Sequence, residues 1–347
     1  MFRALGPAKA LHEHARGALL ATLKNRPGAH ATSPEALDGL ADLVAHTVGA
    51  DLGEEAAQVY LRAMGGFAHL GMIRGAFAFA LRVLQMLSPE RHPTSLAAGI
   101  TPSTALALTY DWALCAVSLG DLSTADAALR EHDRRARTLG ARGRLLVLAR
   151  ARAHLARLAG RFDEAMAFAE ESVARARALD SDADEARGYA MAAAIHHARG
   201  ELDAAVMCFA RAAMLGDAPS ARRGLWEAAV VLEGGGVERA RAIAEAVKAD
   251  MVQRGWRGHA AEADVMRAEV ALRTGDLEGA RRDLTAALAV ANETSDAELG
   301  VRALSAASRL AVARGDGDEA ARLAREARER VEELGLHGLV RVLPTSG

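Results

Sequence analysis

Arg150, His154 and Arg157 are the residues whose types and spacing most invite chemistry. Separations of four and three residues place them on one face of a helix, whatever fold surrounds it. They stand in a strongly basic stretch, where Arg130 to Arg161 contains ten arginines against Glu131 and Asp133. Guanidinium groups are forked donors that match a carboxylate two bonds at a time. The chemistry expected of such a face is the gripping of an anion, and the plainer alternative is an ordinary solvated arginine face.

Other reactive residue types lack the spacing that chemistry requires. His12-Glu13-His14 and the adjacent His196-His197 point their rings to different helix faces, and no H-E-x-x-H or Cys-x-x-Cys pattern occurs, so no metal is expected. Asp180-Ser181-Asp182-Ala183-Asp184 alternates carboxylates like a calcium loop, but Glu185 replaces the needed glycine and Met191 the closing glutamate. There is no G-x-S-x-G elbow and no Gly-rich phosphate loop after a strand, so neither an enzyme nor a bound cofactor is expected. Cys115 and Cys208 lie in apolar stretches and read as buried thiols in a reducing compartment. With 45 acids against 43 bases the chain lacks the cationic excess of a nucleic-acid binder. No secretion signal and no run of eighteen uncharged apolar residues is present, so a cytoplasmic location without membrane contact is expected.

The elements that would position these residues are set by a repeated turn. Gly160-Arg161-Phe162-Asp163-Glu164-Ala165 has six counterparts, beginning at Gly71, Gly120, Gly200, Gly235, Gly275 and Gly315. From Gly120 onward the intervals are 40, 40, 35, 40 and 40 residues, a period that marks a solenoid of helix pairs. Composition agrees: 51% of residues are apolar but only 4% aromatic, and no runs of β-branched residues alternate at period two. Glycine closes the first helix in a left-handed conformation, and a carboxylate beside it or three residues on caps the second. The sixth residue is alanine in all seven copies, as expected where two helix backbones meet closely. Gly317 breaks the apolar third position, which predicts a looser last pair.

The predicted pairs begin with 54–70 and 73–87, then continue as 104–119 with 122–139, 142–159 with 162–179 and 184–199 with 202–215. The last three are 220–233 with 237–254, 258–274 with 277–292 and 296–314 with 318–334. Residues 88–103 form a proline-containing linker. Residues 1–53 form a helical N-terminal cap, with one helix from Pro7 to about Lys24, a loop through Pro27-Gly28, and a second helix capped by Ser33 with Pro34 at its first position. The repeat array spans 54–343, and Pro344 to Gly347 reads as a frayed end. Trp226 and Trp256 flank the short repeat and read as core packing, with anchoring of a partner as the alternative.

The glycine, the apolar third residue and the constant alanine resemble the tetratricopeptide repeat (TPR) over about residues 54–335. The 40-residue period exceeds the usual 34, and Ala153, Ala156 and Ala169 stand where larger residues are common. That is similar to the long variant in the helical region of bacterial MalT-like and LuxR-type regulators, although neither their P-loop nor their helix-turn-helix is found here, so the chain is a stand-alone relative or a fragment. The resemblance implies an all-α superhelix of about seven helix pairs whose first helices line a concave groove. Counting back from the turn glycines adds Arg187, His197 and Arg222 to Arg150, His154 and Arg157 on that surface, followed by Glu262, Glu269, Arg273, Arg302 and Arg309. The expected function is a non-enzymatic scaffold that holds a protein or peptide, an acidic one on the arginine count, in bacterial signalling or transcriptional regulation. The alternative is a small-ligand sensor, for which a closed pocket in place of an open groove is the expected sign.

Overall fold

The computed structural model describes residues 6–23, 33–216 and 221–344; the predicted 25–32 loop, the Lys24 end of the first helix and the chain end at 345–347 lie outside them. Among the described residues there is no strand, and the fold is an all-α, TPR-like solenoid. The chain divides into two compact units: residues 1–116 with 123–141, and residues 117–122 with 142–347.

In the first unit α1 (Gly6–Leu23) packs on α2 (Pro34–Gly49). Ser33 caps α2 as predicted, its Oγ accepting from the Ala36 amide at 3.2 Å. The next pair departs from the expected pattern. α3 (Gly53–Gln58) runs into a π-helical turn at Val59–Ala63, and a second π-helical turn covers Ala68–Ile73 before α4 (Phe77–Met86). The predicted turn at Gly71 is therefore corrected: the chain breaks at Gly65 and Gly66, with φ angles of 78° and 54°, and again four residues beyond Gly71 at Gly75, with φ 65°. Glycine adopts that left-handed geometry without the strain a Cβ would bring. Asp111 fixes the break by accepting from the Phe67 amide at 2.9 Å and the Tyr60 hydroxyl at 3.2 Å. Gly71 is instead buried within the second π-helical turn, where an added Cβ would lie 2.6 Å from the Phe67 ring. The linker leads to α5 (Pro102–Ser118) and is fastened to α3, with Glu54 accepting from the Thr101 amide and the Thr104 hydroxyl, both at 2.8 Å. α6 (Leu122–Thr138) places its His132 ring 2.9 Å from the Leu106 carbonyl of α5.

The second unit is the regular array: α7 (Arg142–Leu158), α8 (Phe162–Arg177), α9 (Asp182–Arg199), α10 (Leu202–Met214), α11 (Ala221–Glu233), α12 (Val237–Arg254), α13 (Arg257–Thr274), α14 (Leu277–Thr294), α15 (Ala297–Ala313) and α16 (Gly317–Leu334). A 3₁₀ segment, His337–Val342, follows. Each first helix packs on its own partner and on the next first helix, so α7, α9, α11, α13 and α15 form an inner layer. Gly160, Gly200, Gly235, Gly275 and Gly315 all take left-handed φ between 75° and 87° at the turns. The alanines that follow, Ala165, Ala205, Ala240 and Ala280, are fully buried. The last pair is not looser. Gly317 stands exposed at the start of α16, while Ala320, Leu323, Ala327 and Val331 are buried and Ser308 donates to the Ala320 carbonyl at 2.8 Å. Packing in that pair rests on positions further along the helix than the glycine replaces.

Candidate ligand pocket

Long side chains bridge the first and last inner helices of the second unit. Arg157, at the end of α7, is almost wholly buried and donates from Nη2 to Glu298 Oε1 on α15 at 2.8 Å, across 141 residues of sequence. Arg302 reaches the same oxygen at 3.3 Å, and His154 Nε2 lies 3.7 Å from the other one. The groove expected from the repeat is thereby deepened into a partly open cavity of about 440 Å³.

The segment after α16 adds a further wall. Leu336 and Leu339 are buried among Leu158, Val301 and Val331. Gly338 lies against the carbonyl of Arg157, where any Cβ would collide, and His337 packs on Gly160. Beyond them Arg341 Nη1 donates to the His197 carbonyl at 2.6 Å while Nη2 pairs with Glu233. Arg309 donates to the Val342 carbonyl at 2.9 Å and pairs with Glu269. His337–Val342 is thus a strap across the ends of α7 and α9, tied to α11 and α15.

One wall of the cavity is apolar, formed by Trp226, Leu232, Val265 and Met266 with small alanines beside them, and charged side chains line much of the rest. Arg157, Arg273, Arg302, Arg309 and Arg341 face it against Glu233 and Glu269, five cations to two carboxylates. The Arg157 guanidinium also lies over the Trp226 ring, 5.6 Å from its centre. Such a lining favours an anion with an apolar portion.

His197 sits among these charges, its Nε2 2.9 Å from Glu233 Oε2. Burial lowers its pKa from the ordinary 6.5, Arg302 and Arg341 lower it further, and Glu233 opposes them. The unfolded chain therefore takes up this proton at higher pH than the folded one. Stability from the neutral ring is complete above about pH 6.5 and is lost as pH falls from there toward the folded value. His197→Gln is expected to shrink the difference in melting temperature between pH 7.5 and 5.5; an undiminished difference would show that another group controls it.

The residues singled out in the sequence have different placements. Arg157 and His197 line the cavity. His154 lies behind Arg157, its ring 6.2 Å from that of Trp226. Arg150 and Arg187 both bind Asp184, at 2.8 and 2.9 Å, and do not line the cavity. The Arg222 side chain is outside the described residues. Glu269, Arg273, Arg302 and Arg309 line the cavity, and Glu262 lines a small cleft beside it with Trp226 and Glu298. Sequence reasoning missed Glu298, Glu233 and the whole strap. Its available signal was the motif Gly335-Leu336-His337-Gly338-Leu339, where two leucines and a second glycine continue past the helix stop.

No protein-family model matches the sequence, and no curated protein does. Solved structures do. A Rap protein complexed with competence and sporulation factor is 11% identical, with 96% of this chain and 94% of that one aligned at a TM-score of 0.60. The Rap conjugation gene regulator of plasmid pLS20, in complex with the Phr* peptide, is 12% identical over 99% of this chain and 97% of that one, with a TM-score of 0.63. At such identities the likeness is one of fold, and the fold shared is an all-α helical repeat of the tetratricopeptide type.

Proposed function

We propose that the chain is a non-enzymatic scaffold that binds a short acidic peptide in the partly open cavity of its second unit and serves signalling or transcriptional regulation. The observation that carries this reading is the cavity itself, with five arginines against two glutamates beside an apolar wall containing Trp226. Its volume of about 440 Å³ lies within the roughly 300–1,000 Å³ typical of ligand pockets and suits a few residues of chain. Peptides bound by the two Rap proteins of similar fold support the class of ligand. The same charged lining fits a second reading, a small anionic effector held in the same place.

The test follows from the charges. Arg273 is exposed and, among the described residues, has no ion pair. Arg273→Glu should therefore leave the free protein's stability within about 0.5 kcal/mol, as for most surface changes. The same substitution is expected to weaken binding of acidic tetra- to hexapeptides roughly tenfold, about 1.4 kcal/mol, by titration calorimetry. Undiminished affinity would remove the cavity as the site. Binding of anionic metabolites alone would select the effector reading.

A further inference from the structure

The strap does more than cover the cavity. Its backbone is inserted between repeats, with Gly338 against the Arg157 carbonyl and Leu336 and Leu339 buried as anchors. From that fixed base it carries a guanidinium into the charged lining. Arg341 keeps about a third of its side chain exposed, and one of its two partners, Glu233, is shared with His197. Arg302 approaches from α15, and its carboxylate, Glu298, is bound more closely by Arg157, at 2.8 against 3.3 Å. Arg341 from the strap and Arg302 from α15 line the same cavity, together with His197. Two cations thus share a neighbourhood whose acceptors are already divided among other donors, and forked donors in that state favour an added carboxylate.

Resting on the peptide-binding reading, we propose that the strap is part of the binding site: a ligand carboxylate is bridged between Arg341 of the strap and Arg302 of α15, so that occupancy locks the strap to the repeats. The site without the strap lacks one side of its anion clamp. A ligand that bridges two elements stabilises their docking by the free energy of that bridge, because it binds the docked state better than the open one. The carboxylate could be a side chain or a chain terminus, and the two are separable by synthesis.

The experiment uses the full chain and three panels of synthetic tetra- to hexapeptides. One is rich in Asp and Glu with amidated C-termini, one carries Asn and Gln with a free C-terminal carboxylate, and one carries Asn and Gln with amidated C-termini. Affinity is measured by calorimetry, and hydrogen exchange of residues 336–343 by mass spectrometry. One carboxylate-bearing panel should bind and slow strap exchange at least tenfold, while the uncharged panel does neither. Arg341→Ala should lose about tenfold in affinity and most of the added protection, and Arg341→Lys should restore part of both.

If Arg341→Ala binds as tightly as the parent, or exchange of the strap is unchanged or faster on binding, the strap proposal is overturned while peptide binding stands. Equal binding of the uncharged panel overturns the carboxylate clamp alone. If no panel binds, the peptide reading and the strap proposal fall together.

Discussion

Ala205→Glu is expected to unfold the repeat array of the second unit at a temperature lower by about 10 °C or more, if about 2–4 °C accompanies each kcal/mol in a unit of this size. Ala205 is fully buried at the sixth position of its turn, within a cluster containing Ala190, Ala193, Phe209 and Val230. Extra methylenes in such a site cost about 1–3 kcal/mol through strain. The carboxylate adds the larger penalty of a buried polar group without a partner. Because each pair buries its apolar stripe against the next, the loss should appear as one lowered transition. Ala205→Gly introduces no bulk and serves as the control. A midpoint for the glutamate variant within 2 °C of the parent by calorimetry would refute close approach at this position.

Arg157→Glu should be nearly as damaging, and for a different reason. Its guanidinium is buried against Glu298, so the substitution sets two carboxylates together where one ion pair stood. Breaking a buried pair by removing one partner costs about 3–5 kcal/mol. Arg157→Met should be milder, since Glu298 keeps Arg302 at 3.3 Å and the methionine keeps the contact with Trp226. Urea titration of both variants checks the order; equal midpoints for Glu and Met would mean that the charge at 157 is not held against Glu298. A consequence for binding studies is that Arg157 cannot be reversed in charge as a clean probe of ligand recognition. Arg273 and Arg341 are better probes, being exposed or half-exposed.

The local parts of this fold were legible because local rules determine them. A left-handed φ needs glycine at Gly160 and Gly200, and a close helix crossing needs alanine at Ala165 and Ala205, whatever else the chain does. The cap at Ser33 followed from the same logic. Gly71 misled because it has the right neighbours for a turn, while the Gly65-Gly66 pair, held by Asp111, takes the break. The site was legible only as far as helical phase reaches. Counting back from each turn brings Arg273, Arg302 and Arg309 to the inner layer, yet phase cannot tell that Arg157 meets Glu298. That meeting depends on small rotations accumulated over five helix pairs, none of which a single repeat records. Arg150 shows the same limit from the other side: its helical face is shared with Arg157, but Asp184 on the neighbouring helix takes it up.

The joining of α7 to α15 has a consequence for how the array comes apart. An open solenoid has two free ends, and each terminal repeat, supported on one side only, frays first. Here the Arg157–Glu298 ion pair bridges the outermost first helices of the second unit, and the strap touches both, with Leu336 and Leu339 buried. The two ends of the row thus gain contacts that an open row would lack. That added support lies where the cavity gathers Arg157, Arg302 and Arg341.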